Sequence, residues 1–505
     1  MVAGRCASEV SPRRPGRSLQ ERRRAYASPV GADLIADLAA ALPAGTVLTD
    51  PDLRRGHQHD EADLCPSGPP AVVVRPTDAD QVAAAVRIAA AHRVPVVPQG
   101  ARTGLAGGAN ATDGALVLSL TGMDRILEID PANRIAVVQP GVVNAILARE
   151  LAGHGLRFPP DPSSWESSTI GGNVSTNAGG MCCVKYGVTS EHVLGLEVVL
   201  ASGERLRTGR RTPKGVAGYD LTRLFVGAEG TLGVITEITL ALRPVAEPAL
   251  TLVAVFDTTA AAGAAVAGIA AAGSTPSLLE LVDRVHLAAI EAYLAGAVGG
   301  RGGTLGLRTD AAALLVAASD TGPRAATELA EIEAQCRAAG AGEVYAATDP
   351  TEAEALLAAR RLAYPAIEHA AAAAFPGGNG GVIVDDVAVP RTALAEVLDQ
   401  IAGIADRHGV TVGVVAHAGD GNLHPNILVD RADPDSVARG RAVFDEILEV
   451  ALAVGGTSTG EHGIGLLKRD WLAQELGPVG VQVHQAIKQA LDPENLLNPG
   501  KVIGW

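Results

Sequence analysis

PPDPSSWESSTIGGNVSTNAGG, residues 159–180, is a long run of small and polar residues with two glycine pairs. Glycines let a flat ligand approach the backbone, and hydroxyl and amide groups can hydrogen-bond its polar edge. A plain surface loop is the alternative, but long loops without structure of their own are uncommon in compact domains unless they are functional. The run therefore predicts a binding segment for a planar ligand.

Two further glycine-rich stretches lie on either side of this run. PQGARTGLAGGAN (98–110) follows the apolar run VPVVP (94–98), where bare backbone can expose successive amides to an anion. Its spacing matches neither the G-x-G-x-x-G dinucleotide fingerprint nor the Walker pattern, so a phosphate loop and a structural turn both fit it. FVGAEGTLGVITE (225–237) leads a glycine turn into a β-run and by itself indicates only the start of a strand.

The chain around these stretches alternates short β-branched runs with helical ones, beginning with AVVV (71–74) and QVAAAVRIAAAH (81–92). That alternation is typical of helices packed on sheets. Further strands are predicted at residues 115–120, 134–140, 194–203 and 231–242. Pro244 and Pro248 then indicate a linker, because proline interrupts strand pairing.

A second unit is predicted from about Leu250, with no glycine-rich phosphate signature of its own. Its predicted strands include 314–319 and 382–390, and its predicted helices are 324–338 and 352–374. Such a unit suits an α+β cap that shapes a substrate pocket. The last segment, from Thr457 with a helix at 481–493, is expected to fold back on the first unit.

Composition limits the classes of function. A chain of 505 residues with 47% apolar and 19% charged residues predicts a soluble globular protein with two or more units. The net charge of −15, with no basic cluster on the folded part, argues against a nucleic-acid partner. No run suits a transmembrane span, and five cysteines form no disulfide framework, which makes a reducing cytoplasm the default location. Residues 1–30, with seven arginines, are predicted to be a disordered tail or an over-long gene start.

Together, in this order, the three glycine-rich stretches resemble the FAD-binding domain of the vanillyl-alcohol oxidase family, also named for p-cresol methylhydroxylase. The resemblance runs from about residue 50 to 503 and is closest to the group of glycolate oxidase flavoprotein subunits and D-lactate dehydrogenases. It implies an α+β fold with a two-part FAD-binding domain over 31–246 and an α+β substrate or cap domain with an antiparallel sheet over 247–456. Residues 457–505 would return to the FAD-binding domain.

The same resemblance assigns the cofactor-binding residues. It places the pyrophosphate of FAD against Gln99, Gly100, Ala101, Arg102, Thr103 and Gly107. The path from adenine to flavin would be lined by Ser164, Gly171, Gly172, Asn173, Ser175, Thr176 and Asn177, and the adenine side by Glu229, Gly230 and Ile235. Asn498, in LLNPGK (496–501), would approach the flavin. The pyrophosphate loop holds no histidine for covalent attachment, which implies non-covalent FAD, and Arg102 stands where many relatives carry glycine.

TVGVVAHAGDGNLHPNILV (411–429) predicts two β-runs joined at Asp420-Gly421, a dipeptide suited to a two-residue turn. Counting outward from that turn pairs His417 with His424, whose Cβ atoms would then lie roughly 4.5–5.5 Å apart, so both could reach one cation. Glu461 would complete a set of two histidines and one carboxylate that suits Zn, Fe(II) or Mn(II). A buried histidine is more often a hydrogen-bonded core residue, and that alternative stays open on spacing alone.

Two motifs carry the resemblance into this region, H-x-G-D-G-N-x-H at 417–424 and G-E-H-G at 460–463. They imply His417, His424 and Glu461 as ligands of a divalent metal, zinc before iron or manganese, and His462 as the catalytic base. Arg360, in LLAARRLAYPA (356–366), would bind the substrate carboxylate, and Asn426 would lie on the substrate side.

These roles imply FAD-dependent oxidation of a small D-2-hydroxy acid to the 2-oxo acid. Val384 stands where enzymes of the group that act on 2-hydroxyglutarate carry lysine, which favours lactate or glycolate. The alternatives are a D-2-hydroxyglutarate-type dehydrogenase, a non-catalytic FAD-binding subunit of a larger oxidase complex, and a metallohydrolase without flavin. The electron acceptor is open between oxygen, a quinone, a cytochrome and an electron-transfer flavoprotein. A homodimer and a peripheral attachment to the membrane are also open.

Overall fold

The structure is a computed structural model that describes residues 30–62, 65–212, 214–296, 305–347, 356–358 and 360–504. Residues 1–29 of the predicted tail lie outside the described residues, as does part of the predicted helix 352–374. No helix within the described ranges combines the length and the apolar character needed to cross a membrane.

A four-stranded sheet comes first in the chain. Its strands lie in the order Val47–Leu48, Val72–Val74, Leu116–Ser119 and Val96–Gln99. The last three strands are parallel and rich in valine and leucine, which is typical of strands covered on both faces. The helices Val30–Ala41 and Ala79–His92 pack on this sheet, and the second begins at Asp78, whose side chain accepts a hydrogen bond from Gln81 N.

A five-stranded antiparallel sheet follows. Its strands lie in the order Ile126–Asp130, Ile135–Val138, Val234–Ala241, Val193–Val199 and Arg205–Gly209. The strand pair Leu156–Arg157 and Arg243–Pro244 and the helix Asn144–Ala152 lie beside it. Short helices complete this part of the chain: Pro51–Arg55, Ile170–Thr176, Cys183–Tyr186 and Leu221–Phe225.

The remainder of the chain is organised by one large antiparallel sheet, which confirms the antiparallel sheet predicted for the cap. Its strands lie in the order Glu343–Ala346, Leu250–Phe256, Ala313–Ser319, Leu278–Asp283, Val412–His417, Asn422–Asp430 and Gly380–Val384. The predicted strand 382–390 is interrupted at Asp385 and Asp386, and its second part, Val387–Ala388, pairs separately with Asn422–Asp430.

Helices cover both faces of the large sheet. One face packs against Thr259–Ala271, Ala325–Ala338, Leu394–His408 and Pro434–Ala453. The other face packs against Arg284–Gly296 and Ala363–Ala374, and Met181 of the first part of the chain joins the same apolar cluster. This second face of the sheet is therefore the one on the side of the glycine-rich segments.

The C-terminal segment contacts the first sheet. The helix Arg469–Leu491 begins earlier than predicted and is kinked at Gly477, which has φ +65° and precedes Pro478. Beyond the helix, Val96 N donates to Leu496 O at 2.8 Å and Asn498 N donates to Val96 O at 2.7 Å. The chain end thus runs alongside the strand that leads into the stretch 98–110.

Candidate active site

A cavity of about 500 Å³ lies between the glycine-rich segments and the large sheet. Most of the residues singled out in the sequence line it: Gln99, Gly100, Ala101, Arg102, Thr103, Ser164, Gly171, Gly172, Asn173, Ser175, Thr176, Glu229, Gly230, Arg360, His424, Asn426, Glu461 and His462. Gly107, Asn177, Ile235, His417 and Asn498 are not among its lining residues. Tertiary structure therefore brings segments that are hundreds of residues apart in sequence to one cavity.

The stretch 98–110 forms one wall of the cavity and is held by its own polar groups. Gln99 Nε2 donates to Ala109 O at 2.7 Å and to His57 O at 2.9 Å. Gly100 lies so close to the next segment that an added Cβ would be 2.4 Å from Thr169 Oγ1. Arg102 has φ +63° and places Nη1 3.2 Å from His57 Nδ1 at the cavity wall.

The run 159–180 is not a loop throughout, because Ile170–Thr176 form a helix. Thr169 is the N-cap residue of this helix. Gly171 is required by packing, since an added Cβ would lie 2.4 Å from Pro140 Cβ. Gly172 is less confined, and an added Cβ there would meet Thr169 Oγ1 at 3.2 Å. Asn177 ends the helix at φ +54°, and its Oδ1 accepts a hydrogen bond from Ser190 N.

Glu229 and Asn498 join the cavity wall to the C-terminal part of the chain. Glu229 is buried, and its carboxylate accepts hydrogen bonds from Ile464 N at 2.7 Å and Gly465 N at 3.0 Å. Burial raises the pKa of Glu229 to about 7. Asn498 Nδ2 donates to Gly108 O and Glu229 O, while Ile235 is a core residue of the five-stranded sheet. Glu229 therefore both lines the cavity and holds residues 464 and 465, whereas Ile235 and Asn498 lie outside the cavity lining.

The predicted register of the histidine hairpin is wrong. His417 pairs with Asn422 and His424 pairs with Val415, because Ala418–Asp420 form a 3₁₀ turn and Gly421 adopts φ +75°. The connection therefore holds four residues and not two. The shift leaves both histidines on one face of the sheet, since His424 lies opposite a residue two positions from His417. Their ring centroids are 5.0 Å apart.

Three side chains converge where this face meets the segment 457–465. His417 Nε2 and His424 Nε2 each lie 3.2 Å from Glu461 Oε1. The three donor atoms lie within 4.8 Å of one another, and two imidazoles with one carboxylate suit a divalent cation. His462 lies beside them, with Nε2 3.6 Å from Glu461 Oε1 and its ring stacked on His424 at 4.8 Å.

The charges around the cluster set the protonation of its histidines. Burial lowers the pKa of His424 to about 4, so this imidazole is neutral near pH 7 and free to act as a ligand. Burial also lowers the pKa of His417, but Glu280 and Glu461 outweigh that effect and raise it well above its ordinary value. Asp386 and Glu461 likewise outweigh burial at His462 and raise its pKa. The carboxylates of Glu280, Asp386 and Glu461 thus favour a positive charge here, on a protonated imidazole or on a bound cation.

Arg360 and Asn426 extend the cluster along the cavity wall. Arg360 is 5% exposed, and its Nε lies 2.8 Å from Glu280 Oε2. Asn426 is buried on the same strand as His424, and its Nδ2 donates to His424 O at 2.8 Å. Val384 lies on the neighbouring strand, paired with Asn426, and also lines the cavity.

Comparison with known proteins identifies the family of the chain. Residues 70–209 match the model of an FAD binding domain, and residues 246–502 match that of the C-terminal domain of FAD linked oxidases. The glycolate oxidase subunit GlcD of Bacillus subtilis (strain 168) is 42% identical over 86% of this chain and 89% of that protein. The chain belongs to the FAD-linked oxidase family. A D-lactate dehydrogenase of Anaerostipes hadrus is 34% identical over 90% of this chain and 94% of its own length.

Solved structures show that this FAD-linked oxidase is also similar to known proteins in its fold. A p-cresol methylhydroxylase matches with a TM-score of 0.74 at 19% identity, over 94% of this chain and 96% of that one. A 4-ethylphenol oxidase from Gulosibacter chungangensis matches with a TM-score of 0.75 at 20% identity, over 95% and 98%. The expected α+β fold of the p-cresol methylhydroxylase type is confirmed.

Unpaired polar atoms at the wall of the cavity independently support binding of FAD there. Ser168 Oγ and Asn173 Nδ2 are buried at its wall and have no hydrogen-bond partner among the described residues. Buried polar atoms rarely lack partners in folded proteins, so these two are available to a polar ligand. Gly100, Gly171 and Gly172 line the same wall and leave backbone accessible to it.

The sequence-based predictions missed Glu280 and Asp386, whose carboxylates lie on the Nδ1 side of His417 and His424. Glu280 is buried in the strand Leu278–Asp283, and its Oε1 lies 2.8 Å from His417 Nδ1. Asp386 Oδ1 lies 3.6 Å from His424 Nδ1. A carboxylate inside an apolar strand, as in SLLELVD (277–283) and VIVDDVAVP (382–390), is a signal that could have found both.

Proposed function

We propose that this FAD-linked oxidase converts a small D-2-hydroxy acid of the lactate or glycolate class to its 2-oxo acid. The observation that carries the proposal is the convergence of His417, His424 and Glu461, of which the last two line the cavity, with His462 beside them. The relatives named glycolate oxidase subunit and D-lactate dehydrogenase support the substrate class. His417, His424 and Glu461 would hold a divalent cation, and zinc is favoured over iron or manganese.

Arg360 would bind the substrate carboxylate. Its Nε is already paired with Glu280, so the guanidinium is oriented before substrate arrives. Glu280 also contacts His417 Nδ1, which joins the carboxylate site to the metal site through one buried acid. Asn426, on the same strand as His424, would donate to the substrate from the same wall.

His462 would accept the hydroxyl proton of the substrate. It lies at the cavity wall, and its carboxylate neighbours Asp386 and Glu461 stabilise the charged imidazolium that forms. When bound, FAD supplies the acceptor for the C2 hydride, and the cation supplies a Lewis acid that makes the hydroxyl more acidic. The glycine-rich wall would orient the flavin toward this group.

The test of this proposal is anaerobic bleaching of the flavin absorbance by a panel of D- and L-2-hydroxy acids. We expect D-lactate or glycolate to bleach it, and D-2-hydroxyglutarate to be a poor substrate. If no acid bleaches the flavin, the alternative of a non-catalytic FAD-binding subunit is favoured, in keeping with a relative that is named as a subunit. Repeating the reaction with oxygen, a quinone, a cytochrome and an electron-transfer flavoprotein would then identify the acceptor.

Removal of the metal is expected to abolish bleaching but not flavin binding. The reason is that the glycine-rich wall that would hold FAD shares none of its residues with the set His417, His424 and Glu461. Dialysis of the protein against a chelator, followed by metal analysis and anaerobic mixing with substrate, measures this. One metal per chain before dialysis and recovery of bleaching on adding Zn²⁺ are expected. Equal bleaching rates before and after complete metal removal would contradict the metal assignment.

Replacement of Val384 by lysine is expected to shift preference toward a substrate with a second carboxylate. Val384 is 9% exposed and lines the cavity, so a lysine there can reach a distal carboxylate. We expect kcat/KM for D-2-hydroxyglutarate relative to D-lactate to rise about tenfold, the scale of one charged hydrogen bond. Val382→Lys is the control, because Val382 shares the strand and lies outside the lining of the cavity. An equal shift in both variants would exclude Val384 as a specificity position.

A further inference from the structure

Asp386 is a fully buried carboxylate at the break between the strands Gly380–Val384 and Val387–Ala388. Its Oδ2 accepts four hydrogen bonds from one segment, donated by Thr459 Oγ1 at 2.6 Å, Gly460 N at 3.0 Å, Glu461 N at 3.0 Å and His462 N at 2.9 Å. Its Oδ1 accepts a hydrogen bond from Asn422 Nδ2 at 2.7 Å and lies 3.6 Å from His424 Nδ1.

We propose that Asp386 is the positioning residue of this active site. One carboxylate shapes the backbone of the segment 459–462, which carries Glu461 and His462, and places a negative charge 3.6 Å from His424 Nδ1. The proposal rests on the proposed function for the roles of Glu461, His462 and His424.

The first part of the proposal concerns the backbone of the segment 459–462. Neighbouring residues of an extended strand point to opposite sides, yet Glu461 and His462 both line the cavity. Three successive amides that converge on one oxygen impose a curled backbone, which accounts for both side chains facing the same way. Gly460 and Gly463 border the pair and restrain it little, so hydrogen bonds to a charged acceptor supply the restraint.

The second part of the proposal concerns His424. Its Nε2 faces Glu461 Oε1 at 3.2 Å, and its Nδ1 faces Asp386. At that distance the carboxylate makes no hydrogen bond to Nδ1, so its effect on the ring is the attraction of its negative charge. His417 differs, since Glu280 Oε1 lies 2.8 Å from its Nδ1, within hydrogen-bond distance. Asp386 differs from Glu280 because it also holds the segment that carries the third ligand.

The variant Asp386→Asn tests whether the charge and acceptor atoms of Asp386 matter, because asparagine fills nearly the same volume in the core. An amide has one acceptor oxygen and one NH₂ group. If the oxygen faces the segment 459–462, the NH₂ group faces Asn422 Nδ2, so that two donors oppose each other. The four hydrogen bonds to the segment also lose the negative charge of their acceptor. In the other orientation the NH₂ group opposes four donors.

Asp385→Asn is the matched control. Asp385 is the adjacent buried carboxylate, and its Oδ1 pairs with Lys468 Nζ at 2.8 Å. Among the described residues, no hydrogen bond or ion pair joins its carboxylate to the segment 459–462 or to a histidine. Asp385 Oδ1 also accepts a hydrogen bond from Asp386 N, which an amide oxygen can keep. Both variants therefore remove a carboxylate from the same turn, and only Asp386→Asn changes the acceptor of the segment 459–462.

The experiment uses the FAD-loaded protein and two measurements. Amide hydrogen exchange followed by mass spectrometry reports on residues 460–462, and competition of Zn²⁺ with a chromophoric chelator reports on metal affinity. For Asp386→Asn we expect exchange at residues 460–462 to be roughly tenfold faster or more, since charged hydrogen bonds are lost. We expect the affinity for Zn²⁺ to fall by about 10–100-fold, the usual effect of losing a residue behind a metal ligand.

The control is expected to stay near wild type in both measurements, whatever its effect on thermal stability. If Asp386→Asn matches Asp385→Asn in exchange or in zinc affinity, the proposal is overturned. If Asp386→Asn does not fold, Thr459→Val removes one of the four donors and should give faster exchange at 460–462, and unchanged exchange there would overturn the proposal. Failure of the proposed function is distinguishable, because it would appear as wild-type protein that binds no Zn²⁺ or is bleached by no acid.

Discussion

His462→Ala is expected to slow anaerobic flavin reduction by roughly 10²–10⁴-fold, the usual contribution of a positioned general base. The imidazole is the proton acceptor that the proposed reaction requires, and its ring lines the cavity directly beside His424 and Glu461. The rate of loss of the flavin absorbance after mixing with substrate measures the effect. Bound FAD and bound metal should stay near wild-type levels, because His462 is not one of the three proposed ligands.

His369→Ala is the control for this experiment. His369 lies on the helix Ala363–Ala374, is exposed, and is not among the residues that line the cavity. Its loss should leave the rate of flavin reduction unchanged. Bleaching of His462→Ala as fast as wild type, with metal and FAD in place, would show that another group accepts the proton.

Gly171→Ala is expected to destabilise the protein and to remove most of its bound FAD. An added Cβ would lie 2.4 Å from Pro140 Cβ and 2.8 Å from Pro140 O, closer than atoms can approach. The helix Ile170–Thr176 must then move away from Pro140, at a cost of about 1–3 kcal/mol for overpacking. The ratio of flavin to protein absorbance and the thermal unfolding midpoint measure the two effects.

Gly172→Ala is the matched control, since it lies in the same helix and its added Cβ would meet only Thr169 Oγ1, at 3.2 Å. We expect it to unfold near the wild-type temperature. Loss of FAD from a stable Gly172→Ala protein would indicate that the cofactor lies directly over this residue. Normal flavin content and stability in Gly171→Ala would contradict the packing argument.

Local patterns in the sequence predicted much of this molecule. Alternation of apolar runs and helical stretches identified the strands Leu116–Ser119 and Ala313–Ser319 and the helix Ala325–Ala338 to within one or two residues. Such elements follow from the periodicity of apolar residues, which is a local property of the chain. The glycine-rich segments were recognisable for the same reason, because the need for bare backbone is visible residue by residue.

The hairpin shows where a local rule fails. Asp420-Gly421 suits a two-residue turn, but Arg391 Nε donates to Gly419 O and Val389 N donates to Gly421 O. Contacts with a distant part of the chain therefore accompany a wider turn than the dipeptide predicts. The two histidines still share a face because the register moved by two residues, and a shift of one would have placed them on opposite faces.

The sequence by itself determined which chemical groups are present: glycine-rich segments for FAD, and two histidines and a Glu-His pair for the metal and the base that we propose. It also determined the family, through motifs that are local. Only the tertiary structure decided how these groups meet. Sheet pairing brings Glu280 to His417, and contacts between residues 76 positions apart in sequence bring Asp386 to the segment 459–462. The physical reason is that a buried carboxylate takes its role from the donors that surround it, and sequence spacing does not contain those neighbours.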